Sequence, residues 1–246
     1  MPTYSKHYQT FSNRLLHLNA DLELIDIIDV SIKEGLLAST EEKLFAKLSK
    51  KKHPILFKRT PSPHNQKLAM NHLKQTVYSS YIKDLYEEVY SYLKSVLTEA
   101  ALRSKIDPER LIGEHQVEVK VSDILNADKL QNIIEDIVSK IFRKLENERS
   151  TTALIRKTCG KLGINIDDKI LDNAIYYLEI RHQLVHADGK ADAQFKKQHN
   201  DLTYTTDNYI DLRYKLIRKV RKATNDFIDE FDKQAIGKGL ILPHNV

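Results

Sequence analysis

An all-α fold is what this sequence predicts, from three observations. Apolar residues recur at three- and four-residue spacing through most of its length. Seven glycines and six prolines among 246 residues are too few turn-formers for a chain of many short strands. Ser, Asp or Ser-Pro stands where the periodic runs begin, as helix caps do. With 41% hydrophobic residues the chain can bury a sizeable core. A net charge of +5 favours an anionic partner without identifying it. The one cysteine, Cys159, leaves no disulfide framework or cysteine zinc site and fits a reducing cytoplasm. No apolar run reaches membrane-span length, and Met-Pro-Thr-Tyr-Ser-Lys-His does not open like a signal peptide, so the expectation is a cytoplasmic protein with no membrane partner.

In chain order, residues 1–60 read as an N-terminal helical extension and linker. Leu22, Ile25, Ile28 and Ile32 repeat at helical spacing, and Ser39-Thr40-Glu41-Glu42 has the form of a capping box opening a helix through Leu44, Phe45 and Leu48. That helix is expected to stop at Lys50-Lys51-Lys52-His53-Pro54, with an extended connector from Pro54 to Pro63. Residues 61–246 read as the main helical domain. Ser62-Pro63 supplies an N-cap and a first-turn proline for a helix from about His64 to Arg103. Asp107-Pro108 caps a short turn, and Val117 to Val121 alternates like a strand but, lacking a partner, is taken as a connector. Leu130, Ile134, Ile137, Ile141 and Leu145 stripe the next helix, which ends near Asn147. Ser150 or Thr151 caps a helix over Ala153 to Leu162, stopped by Gly163, and Asp167 caps one running to His186. Ala187 to Thr206 is a polar loop with one helical turn near Phe195. A last long helix follows, marked by Tyr209, Leu212, Leu216, Val220, Phe227 and Phe231, and then a frayed tail.

The helix from Lys169 to His186 carries the chemistry. On a wheel of about 100° per residue, Leu184, Tyr177, Ile170, Arg181, Ala174, Val185, Leu178, Leu171, His182 and Ile175 share one arc. A permanently charged guanidinium inside an apolar arc costs several kcal/mol unless it meets a carboxylate or phosphate or lies in a wet cleft. His182 stands beside it, and His186 follows just before Asp188-Gly189.

Arg181-x4-His186, with a polar residue, His182, directly after the arginine and long helices on either side, resembles the signature of the HEPN superfamily over roughly residues 62–236. The resemblance implies a HEPN-like helical bundle and a metal-independent endoribonuclease, with Arg181, His186 and His182 as catalytic residues and no cofactor. It also implies a homodimer with a composite cleft, because residues 181 and 186 lie about 140° apart and about 7.5 Å along an ideal helix. Such proteins act in defence or toxin-type growth arrest, which brings in an antitoxin or regulatory partner.

The chemistry stands apart from the family. RNA carries its own nucleophile in the 2′-hydroxyl, so cleavage to a 2′,3′-cyclic phosphate needs a proton acceptor, a proton donor and a cation for the phosphorane charge. Histidine titrates near neutrality, and arginine forks onto two phosphate oxygens. Lys190, Lys196 and Lys197 in the loop, with Arg213, Arg218, Lys219, Arg221 and Lys222 on the last helix, are the candidate RNA-binding residues. His182 and His186 also have the i, i+4 spacing of a zinc pair, but no third-ligand motif accompanies them, so no metal is expected. The other readings are a catalytically inactive HEPN module that binds RNA or protein, and a toxin paired with a nucleotidyltransferase antitoxin. The latter type resembles Arg-x4-6-His-x-Tyr, where this chain has Asp188 in place of the tyrosine.

Overall fold

The computed structural model describes residues 3–34, 48–59, 62–114, 117–147 and 150–244. Within them the fold is all-α, with no sheet and three isolated β-bridges. Its elements are α1 (Lys6–Lys33), α2 (Pro54–Arg59), α3 (Pro63–Leu102), α4 (Pro108–Ile112), α5 (Val121–Leu125) and α6 (Leu130–Asn147), then α7 (Thr151–Leu162), α8 (Asp168–Leu178), α9 (Ile180–His186), α10 (Ala193–Gln198) and α11 (Tyr214–Gly237).

The forty-residue α3 is the axis. The Ser62 hydroxyl accepts from the Asn65 N–H to cap it, and Pro63 occupies its first turn. Its Tyr78, Ile82, Leu85, Val89, Leu93 and Val96 are buried, and α1, α6, α9 and α11 pack around them. Each such side chain contributes about 1.5–3 kcal/mol on leaving water. Phe11, Leu15, Leu22 and Ile25 of α1 enter the same core. Tyr92 of α3 lies between Phe11 and Phe231, with ring centroids 5.9 and 5.8 Å away.

One buried carboxylate ties three helices together. Asp232 of α11 accepts from the Ser5 N–H at 2.9 Å, from the Ser5 hydroxyl and from the Tyr92 hydroxyl at 2.9 Å. Three donors satisfy a charge that would otherwise be expensive to bury.

Several boundaries differ from the sequence expectation. Pro54 begins α2 rather than opening an extended connector, because proline at a first helical position loses no intrahelical bond. Val117 to Lys120 forms no helix or strand, Lys120 being extended, and Val121 starts α5. The helix expected from Lys169 to His186 is divided at Glu179 into α8 and α9. The last helix starts at Tyr214 rather than Tyr209, because Tyr204 and Ile210 pair as a bridge, as do Lys190 and Tyr209, which holds this stretch as an arch. The tail is seated rather than frayed: Leu240 and Ile241 are buried, and His244 donates to the Tyr4 carbonyl. The capping box at 39–42 lies outside the described residues.

Other caps fall where the residue types place them. Ser150 caps α7, Asp167 accepts from the Lys169 and Ile170 N–H groups to cap α8, and Gly163 ends α7 in the left-handed region at φ 64°. No helix among the described residues is long and apolar enough to cross a membrane.

Candidate functional site

Two local breaks place the motif. At Glu179 the backbone leaves the α8 ladder, and the His182 N–H reaches only to the Glu179 carbonyl, at 3.0 Å, three residues back. After His186 the chain turns through Asp188 and Gly189, with φ of 50° and 83°, while the Ala187 and Gly189 N–H groups both return to the Gln183 carbonyl. Leu184 and Ile180 anchor the short helix in the core, and His186 ends it exposed to solvent.

Arg181, His182 and His186 line one pocket of about 260 Å³, closed by Tyr86 of α3, Glu146 and Asn147 at the end of α6, and Ser150, Thr151 and Leu154 of the α7 start. The motif residues therefore border a common space within one chain.

Arg181 is partly buried, its side chain 22% exposed. Its guanidinium carbon lies 4.7 Å from the centroid of the Tyr86 ring, and one terminal nitrogen donates to Glu87 Oε1 at 3.1 Å. The Nε–H is buried with no hydrogen-bond partner among the described residues. Glu87 is a surface acid, 56% exposed, so the pair is a screened rim contact rather than an internal lock. The His182 and His186 rings lie 4.6 Å apart at 48°.

Behind the motif, Glu179 links α9 to the loop. Its carboxylate accepts from the Thr152 hydroxyl at 2.9 Å and lies 3.6 Å from His199 Nε2. His199, 1% exposed, stacks on Phe195 with ring centroids 4.0 Å apart and meets the tilted Tyr176 ring at 4.3 Å. The neighbouring His199 ring holds the Glu179 carboxyl below its ordinary value; burial works against this, and Thr152 and His182 add to it.

The eight candidate RNA-binding cations lie elsewhere: none lines the Arg181 pocket. Lys196 donates to Asn208 and lies over the Tyr204 ring. Arg213 pairs with Asp211 at 2.5 Å, Lys219 with Asp201 at 3.6 Å, Arg221 with Glu23 at 3.7 Å and Lys222 with Asp226 at 2.6 Å. Lys190, Lys197 and Arg218 are exposed. Much of the charge on α11 is thus matched locally by carboxylates.

Sequence reasoning missed Tyr86, Glu87, Glu146 and Thr151 as neighbours of the motif, since they come from three other helices and no spacing links them to Arg181. His199 was visible only as one more residue of a polar loop. Among the described residues no group of three or more His, Cys, Asp or Glu is arranged to hold a metal. Comparison with protein-family models, with curated proteins and with solved structures finds no match to this chain.

Proposed function

We propose that the chain is a metal-independent endoribonuclease of the HEPN type, and the observation that supports this best is the convergence of Arg181, His182 and His186 on one open pocket. In this reading a phosphodiester enters that pocket and takes the place of Glu87 on the Arg181 guanidinium. Arginine then neutralises charge as the phosphorane forms. His186, exposed at the helix end, takes the proton from the 2′-hydroxyl, and His182 delivers one to the leaving 5′-oxygen. The 2′-hydroxyl oxygen bonds to phosphorus as the bond to the 5′-oxygen breaks, which leaves a 2′,3′-cyclic phosphate and a 5′-hydroxyl. A second copy facing the pocket across a twofold axis would enclose the RNA further. The defence or toxin-type setting belongs to this same proposal.

The test is cleavage of an unstructured RNA in the presence of a chelator, with the product ends identified. Wild type is expected to leave the cyclic phosphate, and Arg181→Ala and His186→Ala each to cut at least ~100-fold more slowly with unchanged thermal melts. Equal rates in wild type and both variants would sink the proposal. The pairing of Arg181 with Glu87 favours a second reading, an inactive HEPN module whose arginine is already occupied. RNA binding without any cleavage by the wild type selects that reading.

A further inference from the structure

The break between α8 and α9 sets the direction in which Arg181 leaves the backbone. There the His182 N–H returns three residues, to the Glu179 carbonyl, instead of four. A three-residue step turns the backbone by about 120° per residue, against about 100° in the ladder before it, and its hydrogen-bond geometry is poorer. Local propensity favours running on as one α-helix, so the step is held from outside the ladder. Glu179 is where that hold is exerted. Its carboxylate meets two other parts of the fold, the Thr152 hydroxyl of α7 at 2.9 Å and Nε2 of His199, just past α10, at 3.6 Å. Ser150 and Thr151, which precede Thr152, wall the Arg181 pocket. One carboxylate thus joins the hinge, the pocket wall and the loop that follows the motif.

His199 is itself fixed by backbone and by stacking. Its N–H donates to the Phe195 carbonyl at 2.8 Å, its carbonyl accepts from the Tyr204 hydroxyl at 2.8 Å, and the Phe195 and Tyr176 rings pack on its imidazole. Nδ1 is buried with no hydrogen-bond partner among the described residues. A proton there would be a buried donor with nothing to receive it, so the ring carries its proton on Nε2, facing the carboxylate. An imidazole buried with one nitrogen unsatisfied is placed for what the other nitrogen does.

We propose that His199 is a positioning residue for the Arg181 pocket: it holds Glu179 aside from the helix ladder, and so maintains the break that turns Arg181 toward its ligand. The proposal rests on the nuclease reading in taking that pocket as the working site. With 37% of the Glu179 side chain open to water, the pair adds only modestly to stability, and its main effect belongs to the geometry of the site.

Three variants of the full chain separate positioning from packing. His199→Phe keeps an aromatic ring in the stack and removes the nitrogen that faces Glu179. His199→Gln keeps a donor there without the ring. Glu179→Ala, at a partly exposed side chain where the fold is not at stake, removes the carboxylate and favours an unbroken helix. His199→Phe and Glu179→Ala are expected to melt within about 3 °C of wild type at neutral pH. The first readout is the Arg181 Nε–H resonance in a proton–nitrogen NMR spectrum, identified by its loss in Arg181→Ala. It is expected to move in His199→Phe and Glu179→Ala and to stay near its wild-type position in His199→Gln. The second is RNA cleavage, expected to slow about tenfold in His199→Phe and Glu179→Ala and to remain within about threefold of wild type in His199→Gln. The double variant is expected to be no slower than either single one, as for two residues acting as a unit. An Arg181 resonance unmoved by His199→Phe and Glu179→Ala overturns the proposal whether or not the chain cuts RNA. So does a His199→Gln variant as slow as His199→Phe. Wild type that cuts no RNA, while the resonance still moves with these variants, removes the nuclease reading and leaves His199 as the residue that positions Arg181.

Discussion

Arg181 is held by a tyrosine face and a carboxylate, and the two neighbours have different consequences. Tyr86 fixes the plane of the guanidinium without occupying its donors, whereas Glu87 occupies one of them at 3.1 Å. A rim pair of this exposure is worth roughly 0.2–1 kcal/mol. Glu87→Gln is therefore expected to tighten RNA binding by about two- to fivefold, read as a lower Kd in a fluorescence-anisotropy titration. A weaker complex would mean that Glu87 orients the arginine for its ligand rather than competing with it. Cys159 makes a separate residue-scale prediction. Burial pushes its thiol up to about 12, so at neutral pH it carries almost no thiolate. Ellman's reagent should modify it only after unfolding, and rapid labelling of the native protein would contradict its burial.

At the scale of elements, α8 and α9 together position the motif through their ends. Asp167 fixes the start of α8 by accepting two backbone N–H groups, so Asp167→Ala should cost about 1 kcal/mol in urea denaturation. The hinge at Glu179 carries a pH dependence whose sign follows from its partners. Its carboxyl is held below its ordinary value of 4.5, first by His199. A depressed folded pKa contributes stability that is fully present above the unfolded value and is lost as pH falls through the folded one. The native state should therefore weaken below about pH 4.5, and Glu179→Gln should flatten that limb of a melting-temperature profile. An unaltered limb would remove Glu179 from the acid response. The local spacing of residues predicted these helices and most of their caps, but not the break between α8 and α9. An unbroken apolar arc gives no warning that a carboxylate will turn aside toward a histidine twenty residues further on.

For the whole molecule, the fold depends on a carboxylate that joins its two ends. Asp232 gathers the Ser5 backbone and hydroxyl with the Tyr92 hydroxyl in a fully buried position. Asp232→Ala leaves these donors unsatisfied in the interior and is expected to cost about 3 kcal/mol, seen as a lower midpoint in chemical denaturation. A cost below roughly 1 kcal/mol would show that water or a neighbour replaces the carboxylate. The tail is held at the same end of the molecule by its own contacts: the Leu242 N–H donates to Glu99, Pro243 bridges to Ser5, and Leu240 and Ile241 are buried. Asp29 acts similarly between α1 and α3. Burial raises its carboxyl, but Lys33 and Lys74 outweigh that and hold it below its ordinary value, so acid weakens this joint as well.

The sequence by itself determined the helical class, the positions of most caps, and the Arg181, His182 and His186 cluster at a helix end, because periodicity, capping and wheel geometry act over four residues or fewer. Only the tertiary structure decided that Tyr86, Glu146 and Thr151 complete the pocket, that Glu87 meets Arg181, that Lys219, Arg221 and Lys222 of α11 are matched by nearby acids, and that α1 joins the main core while exposing a second apolar face. These depend on which distant helices meet, and that is set by the joint packing of many side chains rather than by any local spacing.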